Sequence, residues 1–482
     1  MLRDVRAGGC HGNAVCAVGA RMRFLVERQG SMTRLAHYYI PGVDVEDHRI
    51  EVPLDWRGNV PGRGFSGESI GLFYRVLTAP DRINDDLPLL VFLQGGPGGS
   101  CPRPTSPSSD GWIAEAIRHF RVVLPDQRGT GRSSRIDSHV MARLGSADRQ
   151  AEYLKRFLAD SIVRDVEHLR LTGFGGRRWV SLGQSYGGFL TLTYLSLFPE
   201  GLAACFTTGG IPHVPSDAED LYRHTFPKMV SKTRQYYARY PQDVDRVAAV
   251  ADHVASEDVR MPNGDRLTVE RLQTLGSDFG MKPSFERLHW LMDEAFVDGA
   301  GEATARGDLS DEFLDGVMRA TSSRPLYWPL QEFIYADGEL DRPLRWAADR
   351  VRRSMPVFSP DGRPLMFTGE AVFPWMFEQE SALRPFAAAV GMLMEDTRFG
   401  RLYDPERLRG NEVPLQSAVY VDDMYVPSDL QLDTLSRVGN SHYWATNEFE
   451  HDGVHGDAVF RRLYQEARGQ GGSRRSPVAG GP

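Results

Sequence analysis

Residues 181–189 read SLGQSYGGF, a Gly-x-Ser-x-Gly at Gly183, Ser185 and Gly187 set between the apolar run RWVSLGQ and the helix-like LTLTYLSLF. This junction constrains the fold more than any other stretch of the chain. A strand that turns into a helix around one serine brings the helix start across the strand end, so the positions two before and two after must be small. Gly183 and Gly187 meet that need, and Gly188 relaxes it further. The same turn puts Ser185 at a helix N-terminus, whose partial positive charge favours developing negative charge. In a chain with 49 glycines the pentapeptide alone is a weak signal, so a base, an acid and an oxyanion site must be sought elsewhere.

The surrounding pattern predicts an α/β fold. LPLLVFL from Leu87, FRVVLP, RWVSLGQ and ACFTTGG are short continuous apolar runs, as in strands buried on both faces. Helical patterns and loops separate them, which predicts a mostly parallel sheet. The earlier HRIEVPLDW and SIGLFYRVL alternate more, as half-exposed antiparallel strands do. From about Ile211 to Pro360 amphipathic helical patterns such as DLYRHTFPKMVSKTRQYYARY and PLRWAADRVRRS replace strands. Strand rhythm returns at RPLMFTGE, LQSAVYV and SHYWATN, before a last helix from about Gly456. The expected organisation is a sheet core in two parts, residues 32–210 and 361–468, interrupted by a helical cap, residues 211–360. Residues 1–31 and the Gly/Ser/Pro-rich tail 469–482 are expected to be disordered.

Composition removes several function classes. A chain of 482 residues, 41% hydrophobic and 25% charged, can bury a reactive site in an ordinary globular core. Its net charge of -8 provides no basic footprint for nucleic acid and opposes binding to anionic membranes. No apolar run reaches the roughly 18 residues of a membrane helix, and the N-terminal apolar stretch is too broken for a secretory signal. A cytoplasmic location is therefore expected. Four cysteines are too scattered for a disulfide scaffold, and the pair Cys10 and Cys16 has no second pair to complete a metal site. Neither a metal nor another cofactor is expected.

Acyl transfer at Ser185 would need two oxyanion donors. One is the backbone N–H of Tyr186, directly after the serine; the other falls to Gly95 or Gly96 in QGGPGG, the loop after an earlier strand. The chain order Ser, acid, His then limits the base. Of 13 histidines only His442, His451 and His455 follow LQSAVYV. His442 opens the last strand-like run, whereas His451 and His455 lie in the polar loop NEFEHDGVHGD. The acid belongs just after LQSAVYV, where Asp422 and Asp423 are adjacent and can face opposite ways.

Together GGPGGSCPRP, PDQRGTGRSS, DSIVRDVEHLR, LGQSYGGF, EFIYADG, FTGE, VYVDDMYV and TNEFEHDGVH resemble the prolyl aminopeptidase (proline iminopeptidase) family of α/β-hydrolases, peptidase family S33. The match is to its longer bacterial branch, and the motifs run in family order from about His37 to Leu463. The resemblance implies an α/β-hydrolase fold with a mostly parallel central sheet and a large helical cap inserted after the nucleophile half. It also implies cofactor-free hydrolysis of an N-terminal residue, typically proline, from peptides through an acyl-enzyme. Within it, the spacing to Pro427 supports Asp423 as the acid, and the context TNEFEHDG supports His451 as the base. Glu332 and Glu370 match glutamates assigned to the substrate's free ammonium, with Tyr335, Phe373, Trp375 and Phe377 walling an apolar pocket. Two positions depart from the family pattern, Gln94 before GGPG and Gln331 in LQEFIY, each where a histidine is expected. Asp126 and Arg128 are read as structural. The runner-up reading is a related hydrolase acting on esters or lactones or releasing tripeptides.

Overall fold

The computed structural model describes residues 32–298, 307–322 and 325–469. The N-terminal extension with Cys10 and Cys16, and the tail beyond Gly469, lie outside the described residues.

Among the described residues nine strands form one sheet: β1 Thr33–Ile40, β2 Val43–Pro53, β3 Ser69–Thr78, β4 Leu89–Leu93, β5 Arg121–Pro125, β6 Trp179–Gln184, β7 Leu202–Thr208, β8 Leu415–Tyr420 and β9 Ser441–Thr446. Their spatial order is β1-β2-β3-β5-β4-β6-β7-β8-β9. β1 through β3 pair antiparallel, and β3 meets β5 antiparallel. From β5 to β9 every pair is parallel. The continuous apolar runs follow from double coverage: Leu89, Val91 and Leu93 enter one core and Leu90 and Phe92 the other. The helices Ala159–Gly173 and Tyr186–Leu197 close the first core, and Gly111–Ala116 and Ala458–Gly469 close the second.

Three expectations need correction. β1 was not expected as a strand; it is a largely exposed edge, with Leu35, Tyr38 and Tyr39 open to solvent. β2 and β3 are not half-exposed. Ile50, Val52, Leu72 and Tyr74 pack with Val163, Val166 and Leu169 of a helix on one face, and Val43, Val45 and Leu77 enter the opposite core. The segment RPLMFTGE forms no strand, and the sheet resumes only at Leu415. Its apolar residues are buried among helices whose side chains satisfy its backbone. Tyr237 Oη donates to Leu365 O (2.7 Å), Gln273 Nε2 to Met366 O (2.9 Å), and Phe367 N–H donates to Thr233 Oγ1 (3.3 Å). All described residues between β7 and β8 thus form helices, short 3-10 turns, loops and isolated bridges. None of the helices among the described residues is long and apolar enough to cross a membrane.

Candidate active site

β6 ends at Gln184 and the helix Tyr186–Leu197 begins at once, leaving Ser185 alone in the turn. Its backbone sits at φ 55°, ψ -125°, a conformation that costs a non-glycine residue roughly 1–3 kcal/mol and persists only when its surroundings enforce it. They do: Ser185 N–H donates to Thr208 O at the end of β7 (3.0 Å), and Ser185 O accepts from Gly188 N–H (2.7 Å). A side chain at Gly187 would run into the carbonyl oxygen of Leu93, and one at Gly183 into that of Gly187. The small residues flanking the serine are therefore required by backbone-to-backbone approach. Ser185 itself is half-buried.

Acid and base follow the last two parallel strands, β8 and β9. Asp423 lies in the turn after β8, fully buried, and its Oδ1 accepts from Tyr425 N–H (2.8 Å) and Val426 N–H (3.0 Å). Its other oxygen, Oδ2, is 2.7 Å from His451 Nδ1 in the loop after β9. Asp422 faces solvent. His455 is exposed and pairs with Asp110 (3.2 Å), and His442 is an exposed residue of β9. The structure therefore brings together Asp423 and His451 among the alternatives. The end of β7 joins this pair to the serine: Gly210 packs on the Ser185 backbone, and Gly209 faces Asp423 Oδ2 across 3.1 Å from its ideal Cβ position. Burial pushes the His451 imidazole down, but the charge and hydrogen bond of Asp423, then the charges of Glu370 and Asp452, hold it above the ordinary 6.5.

The loop after β4 lies beside the serine, with the ideal Cβ position of Gly95 only 3.1 Å from Ser185 Cβ. Gly96 adopts φ 131°, open to glycine, and folds the loop tightly onto Gly98 and Gly99. Tyr186 N–H, at the first helical position, has no intrahelical acceptor. Gln94, at the first departure from the family pattern, has its carbonyl held by Gln127 Nε2 (2.8 Å). Asp126 fastens the far side of the loop, accepting from Cys101 N–H (3.1 Å), Arg103 Nη1 (2.9 Å) and Arg132 N–H (2.8 Å). Arg128 points away into a buried pair with Asp165 (2.7 Å).

Glu332 is fully buried in the helical block, where its oxygens accept from Ala347 N–H (2.7 Å) and Ala348 N–H (3.3 Å). Burial lifts its carboxyl to about 7 against the lowering effect of those two bonds and of Arg350. Each oxygen keeps a second lone pair for another donor. Glu370 is half-buried, and its charge acts on His451, Tyr425 and Tyr222. The Tyr222 phenol feels both glutamates and donates to Gln331 Oε1 (2.9 Å), the second departure. Tyr335 packs against Phe189 of the serine's helix, ring centroids 6.0 Å apart. Phe373 and Phe377 are buried, Trp375 half-buried.

Residue-by-residue reading missed Tyr425, whose ring lies 4.7 Å from the His451 ring and whose hydroxyl donates to Ser277 O (2.7 Å). Its place two residues after Asp423 was the available signal. Among the described residues no group of three or more His, Cys, Asp or Glu side chains is placed to hold a metal ion. A cavity of about 810 Å³ lies not at Ser185 but near the far end of its helix, around Ser196 and Arg407. Several lining cations there pair with lining carboxylates: Lys155 with Glu152 (3.3 Å), Arg156 with Asp55 (3.0 Å) and Arg164 with Asp160 (3.3 Å). This cavity is an ion-paired seam between core and helical block.

Comparison with known proteins agrees with this architecture. Residues 88–247 match the family model described as alpha/beta hydrolase fold. The proline iminopeptidase aneH of Aspergillus aculeatus is 32% identical over 416 residues, covering 84% of this chain and 89% of that protein. The proline iminopeptidase of Aeromonas sobria is 42% identical over 437 residues, covering 90% of this chain and 98% of that protein. With such identity sustained along nearly the whole of both chains, on a parallel sheet that carries a strand–serine–helix elbow, this chain belongs to the proline iminopeptidase family of α/β-hydrolases.

Proposed function

We propose that the protein is a serine aminopeptidase that hydrolyses the N-terminal residue, preferentially proline, from peptides through an acyl-enzyme. The observation that carries this reading is the buried Asp423–His451 pair (2.7 Å), which follows the carboxyl ends of β8 and β9 as a serine in an enforced turn follows that of β6. Ser185 Oγ attacks the carbonyl carbon of the first residue while His451 Nε2 takes its proton. The tetrahedral oxyanion is held by the N–H groups of Tyr186 and of Gly95 or Gly96. Collapse breaks the C–N bond, and His451 hands its proton to the leaving amine. Water then attacks the acyl carbon, His451 takes the proton from water, and Ser185 leaves with that proton restored. Asp423 holds the imidazole with Nδ1–H toward itself, leaving Nε2 as the acceptor, and stabilises the cation that forms.

Glu332 and Glu370 are assigned to the substrate ammonium, where a carboxylate anchors the free amine and makes a blocked N-terminus a poor fit. The aromatic side chains of Tyr335, Phe373, Trp375 and Phe377 suit a pyrrolidine ring. The test is a panel of N-terminal amino-acid arylamides, each free and N-acetylated. Proline arylamide is expected to be turned over fastest, and acetylation to cut kcat/KM by at least about 100-fold, the loss of a charge-assisted anchor. Blocked substrates cleaved as fast as free ones would sink the anchor.

A further inference from the structure

The helical block touches the loops of both acid and base. Tyr425, beside Asp423, donates through its hydroxyl to Ser277 O (2.7 Å) and accepts from Gly280 N–H (3.1 Å). His451 N–H donates to Gly280 O (3.1 Å). Lys228 Nζ reaches Val421 O (3.3 Å) and Lys282 Nζ reaches Glu448 O (3.4 Å). One contact differs in kind: Lys232 Nζ stands 2.8 Å from Glu450 Oε2, an ion pair whose side chains are 4% and 16% exposed.

A lysine is almost never fully buried unless a partner holds it there, so this pair is specific to its place. Lys232 rises from the helix Ala218–Arg239, which is fastened on either side of it. Met229 Sδ accepts from Gly369 N–H (3.0 Å) and Thr233 Oγ1 from Phe367 N–H (3.3 Å). Glu450 is the residue before His451, so an anchor on its carboxylate limits how far the imidazole can drift from Asp423. Glu450 is also a potential unpaired anion next to the base. The charged and titratable groups facing His451 are Asp423 and Tyr425 from the turn after β8, Glu370 from the helical block, and Asp452 and His455 from its own loop. The acidic members already raise the imidazole, and an uncompensated Glu450 would add to them.

We propose that Lys232 is a positioning residue for catalysis: its ion pair with Glu450 holds the His451 loop in register with Asp423 and cancels the Glu450 charge next to the base. This rests on the reading of His451 as the general base. The test compares Lys232→Met, Lys232→Arg, Glu450→Gln and the double Lys232→Met/Glu450→Gln with wild type on proline arylamide. The readouts are kcat and KM across pH, thermal melting, and fluorophosphonate labelling of Ser185. Lys232→Met leaves an unpaired anion, so the acidic limb of kcat/KM is expected to move up by about half a pH unit. Glu450→Gln leaves an unpaired cation, so the limb is expected to move down by a similar amount. Lys232→Met and Glu450→Gln are each expected to lower plateau kcat roughly 10-fold with KM little changed, as slight misplacement of a base does. Lys232→Arg restores both limb and kcat, and the double variant returns the limb to its wild-type position. Limbs that stay put while activity falls only in step with melting temperature would overturn the positioning role. A wild-type enzyme that fluorophosphonate does not label at Ser185 would overturn the hydrolase reading as well, so the two failures are distinguishable.

Discussion

His451 is a buried imidazole whose charge state is set by two opposed effects. Burial favours the neutral ring, but the Asp423 charge and hydrogen bond, with Glu370 and Asp452 behind them, raise its pKa above 6.5. A general base must be neutral, so kcat/KM is expected to climb with pH through a limb that lies above 6.5. Asp423→Asn is expected to shift that limb to lower pH and to cut kcat by about 10⁴, read from pH profiles on proline arylamide. Glu332 is also raised, and its proton bears on folding rather than on the base. Its carboxyl is raised from 4.5 to about 7, so the folded state holds a proton that the unfolded state has lost between those values. Stability from this group is therefore full below about 4.5 and is lost as pH rises toward 7, by up to about 3 kcal/mol. Urea denaturation at pH 5 and pH 8 is expected to show a smaller pH difference in Glu332→Gln than in wild type.

At the scale of elements, the serine turn is held by backbone contacts that tolerate no added carbon. Gly187→Ala would place a methyl group against the Leu93 carbonyl oxygen of β4, and neither strand nor helix start can yield. The variant is expected to lose more than about 3 kcal/mol or to fail to fold. Gly391, in the helix Ala387–Leu393, has nothing within 4 Å of an added Cβ. Gly391→Ala is expected to be stabilising by about 0.4–1 kcal/mol, through helix propensity and a less flexible unfolded chain. Thermal melting of the two variants separates steric need from ordinary glycine cost. The segment around Phe367 teaches a related lesson about elements. Its apolar run resembles a strand because burial selects the same residues whether the neighbour is a strand or the side chains of helices. Only the hydrogen-bond partners tell the two apart, and those lie on Thr233, Tyr237 and Gln273.

Across the whole molecule, buried ion pairs fasten distant parts of the chain. Arg128, fully buried, donates through Nε to Asp165 (2.7 Å) and through its Nη atoms to Pro53 O (3.0 Å), Leu54 O (2.9 Å) and Arg156 O (2.6 Å). Trp56 Nε1 completes Asp165 at 2.8 Å. One guanidinium thus joins the end of β2, the loop after β5 and the helix Ala159–Gly173. Arg128→Met leaves Asp165 buried without its counter-charge and is expected to cost about 3–5 kcal/mol in urea denaturation. The Lys232–Glu450 pair works at the same scale, between the helical block and the loop of the base.

What the sequence by itself determined is local. The strand–serine–helix junction, the glycine loop at Gly95 and Gly96, the parallel succession β4, β5, β6, β7 and the position of the last helix all follow from residue size and periodicity over a few neighbours. Chain order also limited the base to a loop and the acid to an adjacent pair. Which members meet was decided by tertiary structure: Asp423 turns inward to His451, Asp422 faces solvent, and His455 pairs with Asp110. The same holds for Glu332, which caps a helix that starts 15 residues later, and for Lys232, whose partner lies more than 200 residues further along the chain. Periodicity reports which face of an element is apolar, whereas the charge state and partner of a buried ionisable group depend on segments far apart in sequence. Those meet only once the sheet has ordered its strands.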